Sequence, residues 1–165
     1  MTLTDQKDLI EQCSEESCVK ACPGVLKILR NAAQQERVLN GVHKCAAILE
    51  RDPDAVMLCI LPQPPEGADV TINIEQTLIK AHCWENGIRV MKVDCAKKLE
   101  MLVLDHTEPT NHSLNSDFSC VLVLFPQSDA SDSVAAEKEW KMIDDFFKKM
   151  LLHGVSHSHV IELPG

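Results

Sequence analysis

Cysteine is the residue type with the most chemical potential in this sequence of 165 residues. Eight cysteines occur, at Cys13, Cys18, Cys22, Cys45, Cys59, Cys83, Cys95 and Cys120. The first three lack the Cys-x-x-Cys spacing of structural zinc sites, and no second pair with that spacing follows. Cys45, Cys59 and Cys120 lie inside apolar segments, where a thiol serves as a small buried hydrophobe. The pattern favours reduced, buried thiols, and zinc at the first three is the less favoured alternative.

The remaining candidates for chemistry form no catalytic motif. His157 and His159 alternate along a predicted strand and could bind a metal together with His153, although exposed polar positions are the simpler interpretation. No G-x-S-x-G elbow frames a nucleophile, and neither G-x-G-x-x-G nor a phosphate-binding loop occurs. We therefore predict that the protein is not an enzyme and has no catalytic residues, no metal and no cofactor.

Charge and composition indicate what kind of partner the protein has. The net charge is −9, and aromatic residues make up 4% of the chain with no tyrosine. Nucleic-acid binding normally requires a basic face, and single strands require stacking platforms. We therefore expect nucleic-acid binding to be absent or weak and a basic protein surface to be the complement. No signal peptide or membrane-spanning run is recognisable, so we expect a reduced, intracellular, soluble protein without a membrane partner.

The elements that position these residues alternate along the chain. We predict an N-terminal arm over residues 1–22 and a single domain over residues 23–165. Within the domain, periodicity predicts helices over Val25–Arg37, Val42–Leu49, 70–86 (with Asp69 as N-cap), Ala96–Leu104 (with Asp94 as cap) and Val134–Leu152, and strands over Val56–Leu61, Ile88–Val93, Ser119–Phe125 and His159–Leu163. This alternation predicts an α/β fold, a three-layer α/β/α sandwich with a central mixed sheet.

The central helix, residues 70–86, has two apolar faces. One carries Val70, Ile74, Leu78, Ala81 and Trp84, and the nearly opposite one carries Ile72, Ile79 and Cys83. Packing on a sheet requires only one apolar stripe. We predict that the second face, Ile72, Gln76, Ile79 and Cys83, forms a homodimer interface about a two-fold axis. Contact with the neighbouring helix of the same layer is the alternative.

Several segments together resemble the growth-arrest-and-DNA-damage-inducible (Gadd) stress-response family. The similarity covers residues 41–165, and its most specific parts are the helix–DPD–strand pattern at 41–61, the motif His82–Asn86 and the LPG ending. The resemblance implies a sandwich similar to that of kink-turn-binding ribosomal proteins. It implies a non-enzymatic regulator, nuclear and cytoplasmic, that binds and activates a MAP kinase kinase kinase upstream of p38 and JNK. It also implies contacts with cell-cycle and DNA-repair proteins, and self-association through the helix matching 69–86.

Two loops are the predicted kinase contacts, because family members bind the kinase partly through acidic loops. Vertebrate relatives carry a dense acidic run after the first strong strand, whereas this chain has only Glu66 and Asp69 there. Asp105, Glu108 and Asp117 in the second loop are therefore expected to share the contact. The fold relationship makes an RNA-binding module the alternative function, although the composition predicts only weak, salt-dependent binding.

Overall fold

The computed structural model describes residues 18–20, 23–104, 117–127, 130–154 and 160–164. These residues form six strands, β1 (Cys18–Lys20), β2 (Val38–Asn40), β3 (Val56–Pro62), β4 (Arg89–Val93), β5 (Val121–Leu124) and β6 (Val160–Glu162), and five α-helices, α1 (Pro23–Gln34), α2 (Val42–Arg51), α3 (Val70–Glu85), α4 (Ala96–Leu104) and α5 (Ala130–Leu152). A short 3₁₀ turn, Pro53–Ala55, leads into β3.

The strands form one mixed sheet in the order β1-β6-β4-β3-β5-β2. β1, β6, β4 and β3 are parallel neighbours, while β5 runs antiparallel to both β3 and β2. β3 lies inside the sheet and all seven of its residues are buried, as a near-continuous apolar run predicts for a strand covered on both faces. The parallel pair β3 and β4 is connected through α3, in the usual crossover manner of parallel strands.

Helices cover both faces of the sheet, which confirms the predicted three-layer α/β/α sandwich. Side chains of α1, α4 and α5 form one core against the sheet, and side chains of α2 and α3 form the other. A β-bulge at Met57, between the pairs Val56–Leu124 and Leu58–Val123, lets Met57 and Leu58 both join the first core. Val56 and Cys59 contribute to the second core.

The sequence does not predict the two short strands β1 and β2. The first predicted helix ends three residues early, because Glu36 adopts a left-handed conformation with φ of 56° and the chain then continues as β2. β1 lies within the segment predicted as an arm and pairs in parallel with β6, Cys18 opposite Val160. Three-residue strands carry too little periodicity to be recognised from sequence. Residues 1–17, 21 and 22 of the predicted arm lie outside the described residues.

Asp94 has a different role from the helix cap predicted for it. Its Oδ1 accepts a hydrogen bond from the backbone N–H of Leu163 at 3.0 Å, and its Oδ2 accepts one from Lys98 Nζ at 2.8 Å. Burial alone would raise the pKa of Asp94, but the bonds from Lys98 and Leu163 lower it below its ordinary value. Asp94 therefore fastens the C-terminal strand β6 to the start of α4.

Candidate protein-interaction surface

Helix α3 begins at the predicted N-cap. Asp69 Oδ1 accepts hydrogen bonds from the backbone N–H of Thr71 at 3.1 Å and from its hydroxyl at 3.2 Å. A capping carboxylate satisfies a helix donor that would otherwise lack a partner, and it interacts favourably with the helix dipole. One of the five acidic residues predicted for kinase contact is thus also a structural cap.

The face of α3 predicted as a dimer interface instead packs on the sheet, so this prediction is wrong. Ile79 is 5% exposed and Cys83 is fully buried, both in the core formed with α2. Gln76 Nε2 donates hydrogen bonds to the carbonyl oxygens of Pro62 at 2.8 Å and Ser119 at 2.9 Å. Ile72, one turn before Gln76, is half-buried. These side chains hold the helix to β3 and to the start of β5.

The two apolar faces of α3 therefore exchange the roles predicted for them. Periodicity identifies both faces, but it does not show which of them packs on the sheet. The polar Gln76 decides the outcome, because its amide fits the free carbonyls at the ends of two strands. Burying one correctly bonded amide costs little, whereas leaving strand carbonyls without a donor is expensive.

The opposite face of α3 carries an exposed apolar stripe, which we define as Val70, Ile74, Leu78 and Trp84. These side chains are 67%, 55%, 65% and 59% exposed, respectively. The first three are spaced four residues apart, so they form a continuous row along the helix. Lys80 Nζ lies 5.1 Å from the centroid of the Trp84 ring and covers one end of the row. Exposed apolar rows of this size mark interaction sites in soluble domains.

A groove between α2 and α3 adjoins the apolar stripe. Its volume is about 440 Å³, and Leu78 lines it and also belongs to the stripe. The floor is apolar, with Val42, Leu49 and Ile79, while Glu50 and Glu75 place carboxylates on its walls. His82 Nε2 lies 2.9 Å from the carbonyl oxygen of Leu49 and bridges the two helices. Sequence reasoning missed this groove, because the two helices that form it are separated by a strand in the chain.

The remaining acidic residues predicted for kinase contact fall into three groups. Glu66 is exposed in the loop between β3 and α3. Asp117 accepts hydrogen bonds within the domain: its Oδ1 from Ser119 N–H at 3.0 Å and Ser119 Oγ at 2.6 Å, and its Oδ2 from Val42 N–H at 3.3 Å. Asp117 thus caps the first turn of α2. Asp105 and Glu108 lie outside the described residues.

This capping role of Asp117 makes stability depend on pH. Burial alone would raise the pKa of Asp117, but the hydrogen bonds from Ser119 and Val42 lower it. The carboxylate therefore contributes its stabilisation above the unfolded-state pKa, and loses it as the pH falls through the lower folded-state value, below about pH 4. Asp117→Ala is expected to cost about 1 kcal/mol at neutral pH and less at acidic pH. Urea unfolding across pH measures this, and a pH-independent difference would contradict the role.

Four cysteines lie together in the core under α2 and α3, and burial is confirmed for the three that the sequence predicted as packing residues, Cys45, Cys59 and Cys120. Cys45, Cys59, Cys83 and Cys120 are each 0% exposed. Cys45 Sγ lies 3.6 Å from the carbonyl oxygens of both Leu39 and Cys120. Contact with neighbouring thiols and burial raise the pKa of Cys45 and Cys59. Cys45 and Cys59 therefore remain protonated packing residues, whereas hydrogen bonds from their thiols lower the pKa of Cys120. Cys45, Cys59, Cys83, Cys95 and Cys120 are free thiols.

The part of the chain that the structure describes holds neither a candidate metal site nor a candidate membrane span. No group of three or more histidine, cysteine or acidic side chains there could hold a metal ion. None of the described helices combines the length and the apolarity that crossing a bilayer requires. His157 and His159, considered as metal ligands from sequence, lie outside the described residues.

The fold and the surface define a class of protein: an α/β/α domain whose candidate site is a protein-interaction surface. No protein-family model matches the chain. Among curated proteins, it is 33% identical to human growth arrest and DNA damage-inducible protein GADD45 gamma over 113 residues, 68% of this chain and 69% of that protein. It is 35% identical to mouse GADD45 alpha over 108 residues, 62% and 66% of the two chains, and 33% identical to bovine GADD45 beta over 106 residues, 64% and 66%.

The chain belongs to the growth arrest and DNA damage-inducible GADD45 family, as the resemblance indicated. The matches make it a divergent member, and it spans just under two thirds (66%) of the bovine beta and mouse alpha proteins. A solved structure of a protein with unknown function from Bacillus halodurans aligns with a TM-score of 0.43 and 17% identity, covering 71% of this chain and 96% of that one.

Proposed function

We propose that this protein is a non-enzymatic stress-response regulator that acts in growth arrest and the DNA-damage response by binding other proteins. Membership in the GADD45 family supports the physiological setting, because its curated relatives are named for growth arrest and DNA-damage induction. The exposed apolar stripe of α3 is the observation that supports binding as the activity. A nuclear and cytoplasmic location, and contacts with cell-cycle kinase and DNA-repair proteins, belong to the same proposal.

The first partner in this proposal is a second copy of the chain. Two α3 helices related by a two-fold axis would place the apolar stripe of one protomer on that of the other, so that Leu78 packs near the centre of the contact. Helix-on-helix packing of this kind removes the stripe from water. Each buried side chain of leucine or isoleucine size contributes about 1.5–3 kcal/mol, which is the driving force for association.

The second partner is a MAP kinase kinase kinase of the p38 and JNK pathways. We assign its contact to the groove between α2 and α3 and to Glu66, because an apolar floor between carboxylates suits an amphipathic helix with basic flanks. Binding to a non-catalytic region of the kinase would favour its open form by differential affinity. A dimeric regulator would also hold two kinase chains together, which raises their effective concentration for trans-phosphorylation.

Charge reversal in the groove tests the kinase contact. Glu50→Lys combined with Glu75→Lys is expected to weaken kinase binding at least tenfold, because two attractions to a basic segment become repulsions. Glu137→Lys with Lys138→Glu, both exposed on α5 in the opposite layer, is the control and is expected to leave binding unchanged. Calorimetric titration with the kinase's non-catalytic region, followed by an assay of its autophosphorylation, measures both effects. Equal affinity of the groove variant and the wild type would contradict the assignment.

A further inference from the structure

A second cavity lies on the other side of α3 from the groove, where α3 crosses the carboxyl ends of β3 and β4. Its volume is about 300 Å³. Pro62, Gln63, Asn73, Thr77, Lys80 and Lys92 contribute to its wall. Lys92 lies on the same face of β4 as the buried Val90, toward α3. Lys80 lies on α3 and lines the same cavity. Two ammonium groups from different elements thus converge on one cavity.

The two lysines have no acidic partner within the described part of the chain. The ion pairs found there join other residues, and the Lys80 ammonium is held by the Trp84 ring. Burial, together with the charge and the hydrogen bond of Lys80, lowers the pKa of Lys92. Adjacent like charges repel strongly in a half-buried site. An anion between the two ammonium groups would turn this repulsion into attraction.

We propose that this cavity binds a phosphoryl-type dianion between Lys80 and Lys92. Two ammonium groups carry the charge that neutralises a phosphate dianion, and hydrogen bonds from charged donors to phosphate oxygens are the strong ones. Asn73 and Gln63 line the same wall and supply neutral amides. The sequence carries no phosphate-binding loop, so this site depends on the crossing of α3 over the sheet and not on a local motif.

The surroundings favour a single phosphoryl group over a polynucleotide. The chain has a net charge of −9, which opposes the binding of a long polyanion. A phosphorylated side chain of a partner protein and a small phosphorylated metabolite share the required chemistry. Both place one dianion at a time in the cavity, and the open side leaves room for the group that carries it.

Titration of the isotope-labelled protein with inorganic phosphate tests the site. The side-chain signals of Lys80 and Lys92 are expected to shift saturably, with Lys80→Met and Lys92→Met each weakening binding at least about tenfold. Lys27→Met removes the same charge from an exposed position on α1, in the opposite layer, and is expected to bind as the wild type does. Thermal unfolding of each variant verifies the fold.

Further titrations distinguish the sources of the phosphoryl group. Tighter binding of a phosphoserine peptide than of inorganic phosphate or the unphosphorylated peptide supports the site with a protein source, and preference for a sugar phosphate supports it with a metabolite source. The absence of any saturable shift at Lys92 with all three phosphate probes would overturn the proposal. So would equal losses for Lys27→Met and Lys92→Met, because the effect would then be a general one of net charge.

Discussion

Ile79→Asp is expected to unfold the domain, whereas Leu78→Asp, one residue earlier, is expected to leave its stability nearly unchanged. Ile79 is 5% exposed and packs against the sheet, while Leu78 is 65% exposed. Replacing Ile79 removes a buried side chain and places an unpaired charge in the core, at a combined cost of at least about 4 kcal/mol. The exposed substitution is expected to change the free energy of unfolding by about 0.5 kcal/mol.

Circular dichroism and urea unfolding of the two variants measure this difference. The pair is matched, because both changes introduce aspartate into the same turn of α3 and alter helix propensity similarly. A folded Ile79→Asp protein with near wild-type stability would mean that the sheet does not cover Ile79. The face with Val70, Ile74, Leu78 and Trp84 would then be the one that packs on the sheet.

Arg37→Met is expected to destabilise the protein by about 3–5 kcal/mol, because it leaves a partly buried carboxylate without its partner. Arg37 is 8% exposed, and its NH2 lies 3.1 Å from Glu139 Oε2 on α5. NH1 also donates to the carbonyl oxygen of Leu124 at 2.8 Å, and Nε donates to Gln35 Oε1 at 2.7 Å. The guanidinium therefore connects the turn after α1 with β5 and with the long helix.

A double-mutant cycle with Glu139→Gln separates the ion pair from the other bonds of Arg37. Part of the loss of stability caused by Arg37→Met is expected to disappear in the double variant, because the unpaired carboxylate of Glu139 is then absent. Lys141→Met on the exposed side of α5 serves as the control and is expected to stay within about 0.5 kcal/mol of the wild type. A loss below about 1 kcal/mol for Arg37→Met would show that the guanidinium is replaceable by packing.

The long elements of the fold were predictable because each carries enough residues for a period to emerge. Helix Ala96–Leu104 was predicted with its observed bounds, and the buried strand Val56–Pro62 to within one residue. β1 and β2 were not predicted, since each has three residues and is defined by its pairing partner. Periodicity within a short segment cannot reveal such pairing, because the pairing depends on residues distant in the chain.

The candidate surface was predictable only in part. The sequence indicated that α3 has two apolar faces and that one of them must meet a partner. The sequence does not show which face meets the partner, because the amide of Gln76 donates to carbonyl oxygens 14 and 43 residues away in the chain. The structural roles of the acidic residues are likewise predictable only in part. The sequence predicts Asp69 as the N-cap of α3, which it is, but it gives no sign of the hydrogen bond that Asp117 accepts from Val42, 75 residues away at the start of α2.

Light scattering of the wild type and Leu78→Asp across a concentration series tests the central claim most directly, since it measures association through the apolar stripe. The wild type is expected to approach twice the chain mass of 18.4 kDa as concentration rises. The Leu78→Asp protein is expected to remain folded and at the mass of one chain, because the charge would have to be buried in an apolar contact. A wild type that stays monomeric at every concentration, or a Leu78→Asp protein that dimerises as the wild type does, would contradict the claim.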